Sequence, residues 1–185
     1  MSSEILADAD QKMARAVDAM ERDFQGFRTG RASTALVERI TVDYYGTQTP
    51  LNQLAGISVP EPHQIVIQPW DRGVLGAIEK AITKSDIGLT PNVDGTVVRL
   101  NIPPLTEERR KDLVRVVHKR MEDARVEIRN IRRDANDHLK KDEREGNVGT
   151  DEAHREQEVL QKTTDRHVAE VERRGLVKEQ EVLEV

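Results

Sequence analysis

The apolar stripe that starts at Leu113 and runs through Val117, Met121, Ala124, Ile128, Ile131, Ala135 and Leu139 constrains this chain more than any other feature. Its steps of three and four residues describe one face of an α-helix. No helix breaker interrupts it between Pro103-Pro104 and the glycines Gly146 and Gly149. A helix over 107–143 is predicted, about 55 Å long at 1.5 Å per residue. Thr106 serves as its cap, and Glu107 and Glu108 sit at the positive end of its dipole. A rod of that length with a single apolar face cannot bury itself, so it needs partners of similar length.

Two further stretches supply them. From Glu4 to Phe27, the residues Leu6, Ala9, Met13, Ala16, Val17, Met20, Phe24 and Phe27 recur at helical spacing. A first helix is expected there, capped by Ser2 or Ser3 and stopped near Gly30. Beyond Gly149, a last helix starting at Thr150 or Asp151 carries Ala153, Leu160, Thr164, Val168, Val171 and Val182. Its seam is thinner and contains Gly175, which weakens a helix interior, so its C-terminal end is the least defined boundary. At 36% apolar and 34% charged residues, with a mean hydropathy of -0.66, the chain can form a core only where such stripes meet. Three one-striped helices satisfy one another as an elongated antiparallel bundle.

Between the first two helices the period changes. Residues 40–44 and 96–101 alternate, and Gln64-Ile65-Val66-Ile67-Gln68 is a short run rich in β-branched side chains, so three strands are read there. Residues 45–48 read as a hairpin turn, Pro60 and Pro62 as a break, and 92–95 as a turn before the last strand. Val74, Leu75, Ile78, Ala81 and Ile82 restore helical spacing, with Asp71 as cap. The fold class is therefore α+β: a three-helix bundle formed by 1–30 and 105–185, with a small β/α/β domain, 31–104, inserted into it. The chain crosses between them twice, through 28–31 and 101–105. Thr29 and Gly30 make the first crossing pliable, whereas Ile102, Pro103, Pro104 and Leu105 stiffen the second. Such a double linker permits restricted swinging; the same residues are equally compatible with rigid packing.

Composition narrows the function. A length of 185 residues allows one domain or two small ones, which excludes a large multi-domain enzyme. With no cysteine there are no disulfides, thiolate metal sites or cysteine nucleophiles, as suits a reducing cytoplasm. The acidic start MSSEILADAD does not resemble a signal peptide, and no segment approaches membrane-spanning length, so a soluble cytoplasmic protein is expected. No phosphate-binding loop, dinucleotide fingerprint, zinc-protease helix or nucleophile elbow occurs. His63, His118, His138, His154 and His167 are scattered, and each reads as a solvated surface residue. No catalytic residue, metal site or cofactor is expected, and the chain is read as a non-enzyme.

The net charge of -5 is unevenly distributed. Residues 105–145 hold 13 basic and 11 acidic side chains, the one block with a positive balance. Turning about 100° per residue from Ile128 puts Arg125, Arg129, Arg132 and Arg133 on one flank of the long helix, with Arg115, His118, Asn136 and Lys140. Glu122 is the lone acid among them, while Asp123, Glu127 and Asp134 fall on the other flank. A solvated charged face is the plain reading, but solubility does not require segregation by side. Guanidinium groups in a row suit phosphate oxygens, which they bind in two-point fashion. The last 115 residues hold no aromatic side chain, so the bundle lacks the platforms on which unpaired bases stack. It should read phosphate and shape. Tyr44, Tyr45 and Trp70 could stack on bases, although packing in the small domain's core is the expected role for most of them.

Four motifs add a resemblance over essentially the whole chain. Arg28-Thr29-Gly30-Arg31-Ala32, Val42-Asp43-Tyr44-Tyr45-Gly46 with Thr49-Pro50-Leu51, Pro103-Pro104-Leu105-Thr106-Glu107-Glu108-Arg109-Arg110, and Arg129-Asn130-Ile131-Arg132-Arg133-Asp134-Ala135 together resemble the bacterial ribosome recycling factor family. The resemblance implies an L-shaped, tRNA-sized monomer. It also implies action with elongation factor G and GTP to split post-termination ribosomes into subunits, with nucleotide hydrolysis on the partner. Large-subunit ribosomal RNA would be met by Arg129, Arg132 and Arg133, with Arg28 and Arg31 at the hinge; elongation factor G would meet the small domain and hinge. Two rivals lack support: a coiled-coil adaptor needs a second exposed apolar stripe, and a hydrolase needs a nucleophile and base at usable spacing.

Overall fold

A computed structural model of the protein describes residues 2–184, except the side chain of Ser2. Four α-helices and six strands run in the order α1 (Ser2–Gln25), β1 (Thr41–Tyr44), β2 (Thr47–Pro50), β3 (Ala55–Glu61), β4 (Gln64–Pro69), α2 (Leu75–Lys84), β5 (Pro91–Asp94), β6 (Val97–Asn101), α3 (Glu107–Arg144) and α4 (Thr150–Leu183). The chain divides into two compact units, Met1–Phe27 with Glu107–Glu184, and Arg28–Thr106. Both linker segments, 28–31 and 101–105, thus lie inside the second unit.

The first unit is an up-down-up bundle. Asp23 near the end of α1 meets Arg120 early in α3 at 2.5 Å, so α1 and α3 are antiparallel. His118 of α3 meets Glu179 late in α4 at 2.9 Å, which makes that pair antiparallel too. Met13, Met20, Phe24, Val117, Ile128, Leu139 and Val171 meet in one core at 0–1% exposure. Burying each side chain of this size contributes about 1.5–3 kcal/mol. α1 ends at Gln25, ahead of Gly30, and Phe27 reaches the core from outside the helix. Ser3 lies within the first turn of α1, not at its cap; the capping side chain read for Ser2 lies outside the described residues.

α4 does not weaken at Gly175. The helix runs through it to Leu183, and Gly175 is buried. A Cβ there would lie 2.2 Å from Met121 Sδ, so the missing side chain is the space into which α3 packs. The glycine marks a close helix crossing, and that packing offsets the helix propensity it loses.

The second unit packs α2 against an antiparallel sheet of order β3-β4-β6-β5 and against β1 of a β1–β2 hairpin. Its core unites Val42, Leu51, Ile65, Ile67, Ile78, Ile82, Val98 and Leu100. Three of its strands escaped the sequence reading. β2 begins at Thr47, because the hairpin turns on Tyr45 and Gly46 alone, at φ +48° and +87°. β3 runs through Pro60, and β5 starts at Pro91. Both are edge strands, where a missing amide donor is tolerated, and a register shift between Ser58 and Glu61 relieves β3 further. Asp71 caps the turn before α2 as expected, accepting from Gly73 N at 2.8 Å.

Candidate functional site

α3 supplies the site because one long helix holds its side chains at fixed angles around a buried seam. Ile128 points into the core, and the flank bearing Arg125, Arg129, Arg132 and Arg133 faces α4. The four arginines are not equivalent. Arg125 is half-buried, with Nε donating to Glu122 Oε2 at 2.9 Å and Nη1 donating to Glu172 of α4. Burial disfavours its charge, but the two carboxylates overcome that and raise its pKa. Arg125 therefore stays ionised and is committed to protein carboxylates. Arg129 is exposed and reaches Glu122 Oε1 only at 3.5 Å. Arg132 donates to Gln161 Oε1 at 3.4 Å, a neutral partner that leaves its charge uncompensated. Arg133 is exposed, with no ion pair among the described residues.

The charge of this flank is thus graded along the rod. Toward the start of α3, α4 presents Glu172 and Glu179, which face Arg125 and His118. Arg115 pairs with Asp112 at 3.1 Å. Hydrogen bonding from Arg125 holds the Glu122 carboxyl below its ordinary range, so Glu122 remains an anion amid the arginines. Arg125 and Arg129 face Glu122 and Glu172, so only from Arg132 onward does positive charge outrun its partners. Asp112 and Glu122 belong to α3 itself, but Glu172 and Glu179 lie on α4, and a rotation about α3 alone could not have found those two.

In the second unit, Arg28 and Arg31 are exposed, and Arg28 Nη2 lies 3.5 Å from the Asp86 carbonyl oxygen. The two linker segments are tied together through His63. Its Nδ1 is 2.6 Å from the Gly30 carbonyl oxygen, which can only accept, so Nδ1 carries the proton. The His63 carbonyl accepts from Ile102 N at 2.7 Å, and the Pro62 carbonyl from Ala32 N at 2.7 Å. Gly30 is buried at φ +75°, where a Cβ would press on Leu105 N at 3.2 Å. Thr29, Ile102 and Leu105 are half-buried, and Pro103 and Pro104 are exposed. Gly30 thus serves here as a close-packed position, and its expected pliability is not what its surroundings reward.

Two histidines read as solvated are structural. His63 makes the tie just described, and His167, 12% exposed at its side chain, joins α4 to Asp10 of α1 at 2.5 Å. The only sequence cue for His63 was its place beside Pro62 in a tight connection. The aromatic residues differ in the opposite sense. Tyr45 and Trp70 are 74% and 70% exposed, not core residues, and Tyr45 Oη donates to Asp71 Oδ2 at 2.9 Å. Tyr44 is half-buried against Tyr45, edge to face. Among the described residues, no group of His, Cys, Asp or Glu is arranged to hold a metal ion, and no helix is long and apolar enough to cross a membrane.

Comparison with known proteins places this geometry. The family described as Ribosome recycling factor matches residues 20–183. The chain is 52% identical over 185 residues to the ribosome-recycling factor of Halalkalibacterium halodurans, covering 100% of both chains. The chain belongs to the ribosome recycling factor family. It is also 53% identical over 181 residues to the factor from Oleidesulfovibrio alaskensis, covering 98% of each. A solution structure of a ribosome recycling factor superposes with a TM-score of 0.77 at 46% identity, covering 100% of this chain and 98% of that one. A second structure describes models for the T. thermophilus ribosome recycling factor and the E. coli elongation factor G bound to the E. coli post-termination complex. It matches at a TM-score of 0.65 and 46% identity, with full coverage of both chains.

Proposed function

We propose that this chain acts with elongation factor G and GTP to dissociate post-termination ribosomes into subunits, freeing mRNA and tRNA for another round of translation. The observation that carries the docking half of this reading is the run Arg129, Arg132 and Arg133 on a rigid helix, where Arg129 shares Glu122 with Arg125 and the other two have no carboxylate partner among the described residues. These side chains bind large-subunit ribosomal RNA through its phosphates, and Arg28 and Arg31 add contacts from the small unit. Arg125 supports them indirectly by fixing the α3–α4 spacing. Hydrolysis belongs to the partner GTPase, so the chain works as a monomeric binding protein in the cytoplasm, without a nucleotide of its own.

The tie through His63 refines where bending occurs. Segments 28–31 and 101–105 are bonded to each other's neighbours within the small unit, so they move with it. Flexure then falls where the units change over, at Phe27–Arg28 and Thr106–Glu107. Elongation factor G pushes the small unit while the bundle stays anchored.

The test is subunit splitting of purified post-termination ribosomes with elongation factor G and GTP, followed by light scattering. Wild type is expected to split them, and Arg129→Ala/Arg132→Ala/Arg133→Ala is expected to fail at matched concentration with helix content unchanged. Splitting by the triple variant at the wild-type rate would overturn the docking assignment.

A further inference from the structure

We propose that the groove between α1 and the C-terminal half of α3 is a docking site for an extended polypeptide segment bearing alternate lysine or arginine residues. The groove lies on the flank of α3 opposite the arginines and has a volume of about 670 Å³. Its floor is apolar, made by Ile5 and Ala9 of α1 and Ile131 and Ala135 of α3. Its rim is acidic, with Glu4, Asp134, Asp137 and Asp142 in no ion pair among the described residues. A fifth carboxylate, Asp8, is engaged by Lys12 at 2.7 Å, and His138 also borders the groove.

Asp142 separates this groove from an ordinary acidic surface. Its residue exposure is 8%, and its Oδ2 has no hydrogen-bond partner. Buried polar atoms in folded proteins are almost always paired, so a donor is missing at this position. An ammonium or guanidinium entering the groove would be that donor.

Spacing selects the occupant. The rim carboxylates are dispersed, and among the described residues none form a cluster able to hold a metal ion. Asp134 and Asp142 are eight residues apart on α3, about 12 Å along its axis. In an extended chain, side chains on one face recur about every 6.6 Å. Three alternate cations therefore span the rim, and their aliphatic stems can lie on the apolar floor with the charges at the carboxylates. A nucleic-acid strand carries the same negative charge as the rim and is repelled.

The probe is an acetylated and amidated peptide of sequence KVRVK, titrated into the isotopically labelled full-length protein and followed by amide NMR. Saturable shifts confined to the groove, around Ile5, Ala9, Ile131 and Ala135, are expected. Asp134→Lys/Asp137→Lys reverses two exposed charges that the fold does not use and is expected to weaken binding at least tenfold. Arg132→Ala/Arg133→Ala, on the far flank, is expected to leave it unchanged. The proposal is overturned if the charge-reversed variant binds as wild type, if shifts spread over every acidic surface, or if spermidine at the same concentration reproduces them. No ribosome enters the experiment, so its outcome is independent of the recycling assignment.

Discussion

Replacing Gly30 by alanine tests whether the linkers belong rigidly to the small unit. At φ +75° the left-handed backbone costs an L-residue about 1–2 kcal/mol. The new Cβ would also stand 3.2 Å from Leu105 N and 3.3 Å from Leu105 Cγ. The backbone nitrogen cannot easily retreat, because Pro103 and Pro104 fix φ at the two preceding residues. Together these give a loss of about 2–3 kcal/mol, confined to the Arg28–Thr106 unit. Native-state hydrogen exchange reads it directly. The amides of Ala32 and Ile102, which donate to Pro62 and His63, should exchange roughly 30-fold faster or more, since each 1.4 kcal/mol is a factor of ten. Amides in the middle of α3 should not change. Ribosome binding should stay near normal while splitting with elongation factor G and GTP is impaired. Unchanged exchange at Ala32 and Ile102, or equal acceleration throughout the bundle, would refute the bracing of Gly30 by Leu105 and His63.

Gly175→Ala should lower bundle stability by about 1–3 kcal/mol through overpacking, and Met121→Ala in the same chain should recover part of that loss; an additive double mutant in urea denaturation would contradict the close crossing. Arg125→Ala should lower stability more than Arg133→Ala, because half-buried Arg125 loses packing and two ion pairs to half-exposed carboxylates whereas exposed Arg133 has no ion pair among the described residues; equal thermal melting of the two variants would contradict this. Hydrogen bonds from Arg173 and Arg174 lower the Glu170 pKa from 4.5 to about 2, so its contribution is complete above the unfolded value and is lost as pH falls between the two. Asp10 is lowered in the same direction, chiefly by His167. Glu170→Gln should therefore flatten the loss of stability across that acid window, and an unchanged slope would rule out the Arg173–Arg174 clamp.

The helices were legible because a period of 3.6 over tens of residues has few competing explanations. The seam from Val117 to Leu139 lies in the core as read, and α3 spans Glu107–Arg144 against an expected 107–143. Features decided by a neighbour distant in sequence were not legible. Gly175 looks like a defect until Met121 of another helix fills its place. Pro60 looks like a break until strand order puts it in an edge strand. The same limit applies to the site. Angular position on α3 grouped the arginines on one flank, but Glu172 and Gln161 of α4 set how Arg125 and Arg132 differ in availability. His63 and His167 carry no local motif, and their roles arise only from tertiary partners.

Salt dependence of binding to purified large ribosomal subunits tests the central assignment most directly. Each arginine that neutralises a phosphate releases a counterion, so the logarithm of affinity falls linearly with that of salt, by roughly one unit of slope per contact. Wild type should show a steep slope, and Arg129→Ala/Arg132→Ala/Arg133→Ala should lose about three units of it. Arg125→Ala, its charge already committed to Glu122 and Glu172, should keep nearly the full slope despite its lower stability. A triple variant with the wild-type affinity and slope would show that these arginines do not touch the RNA.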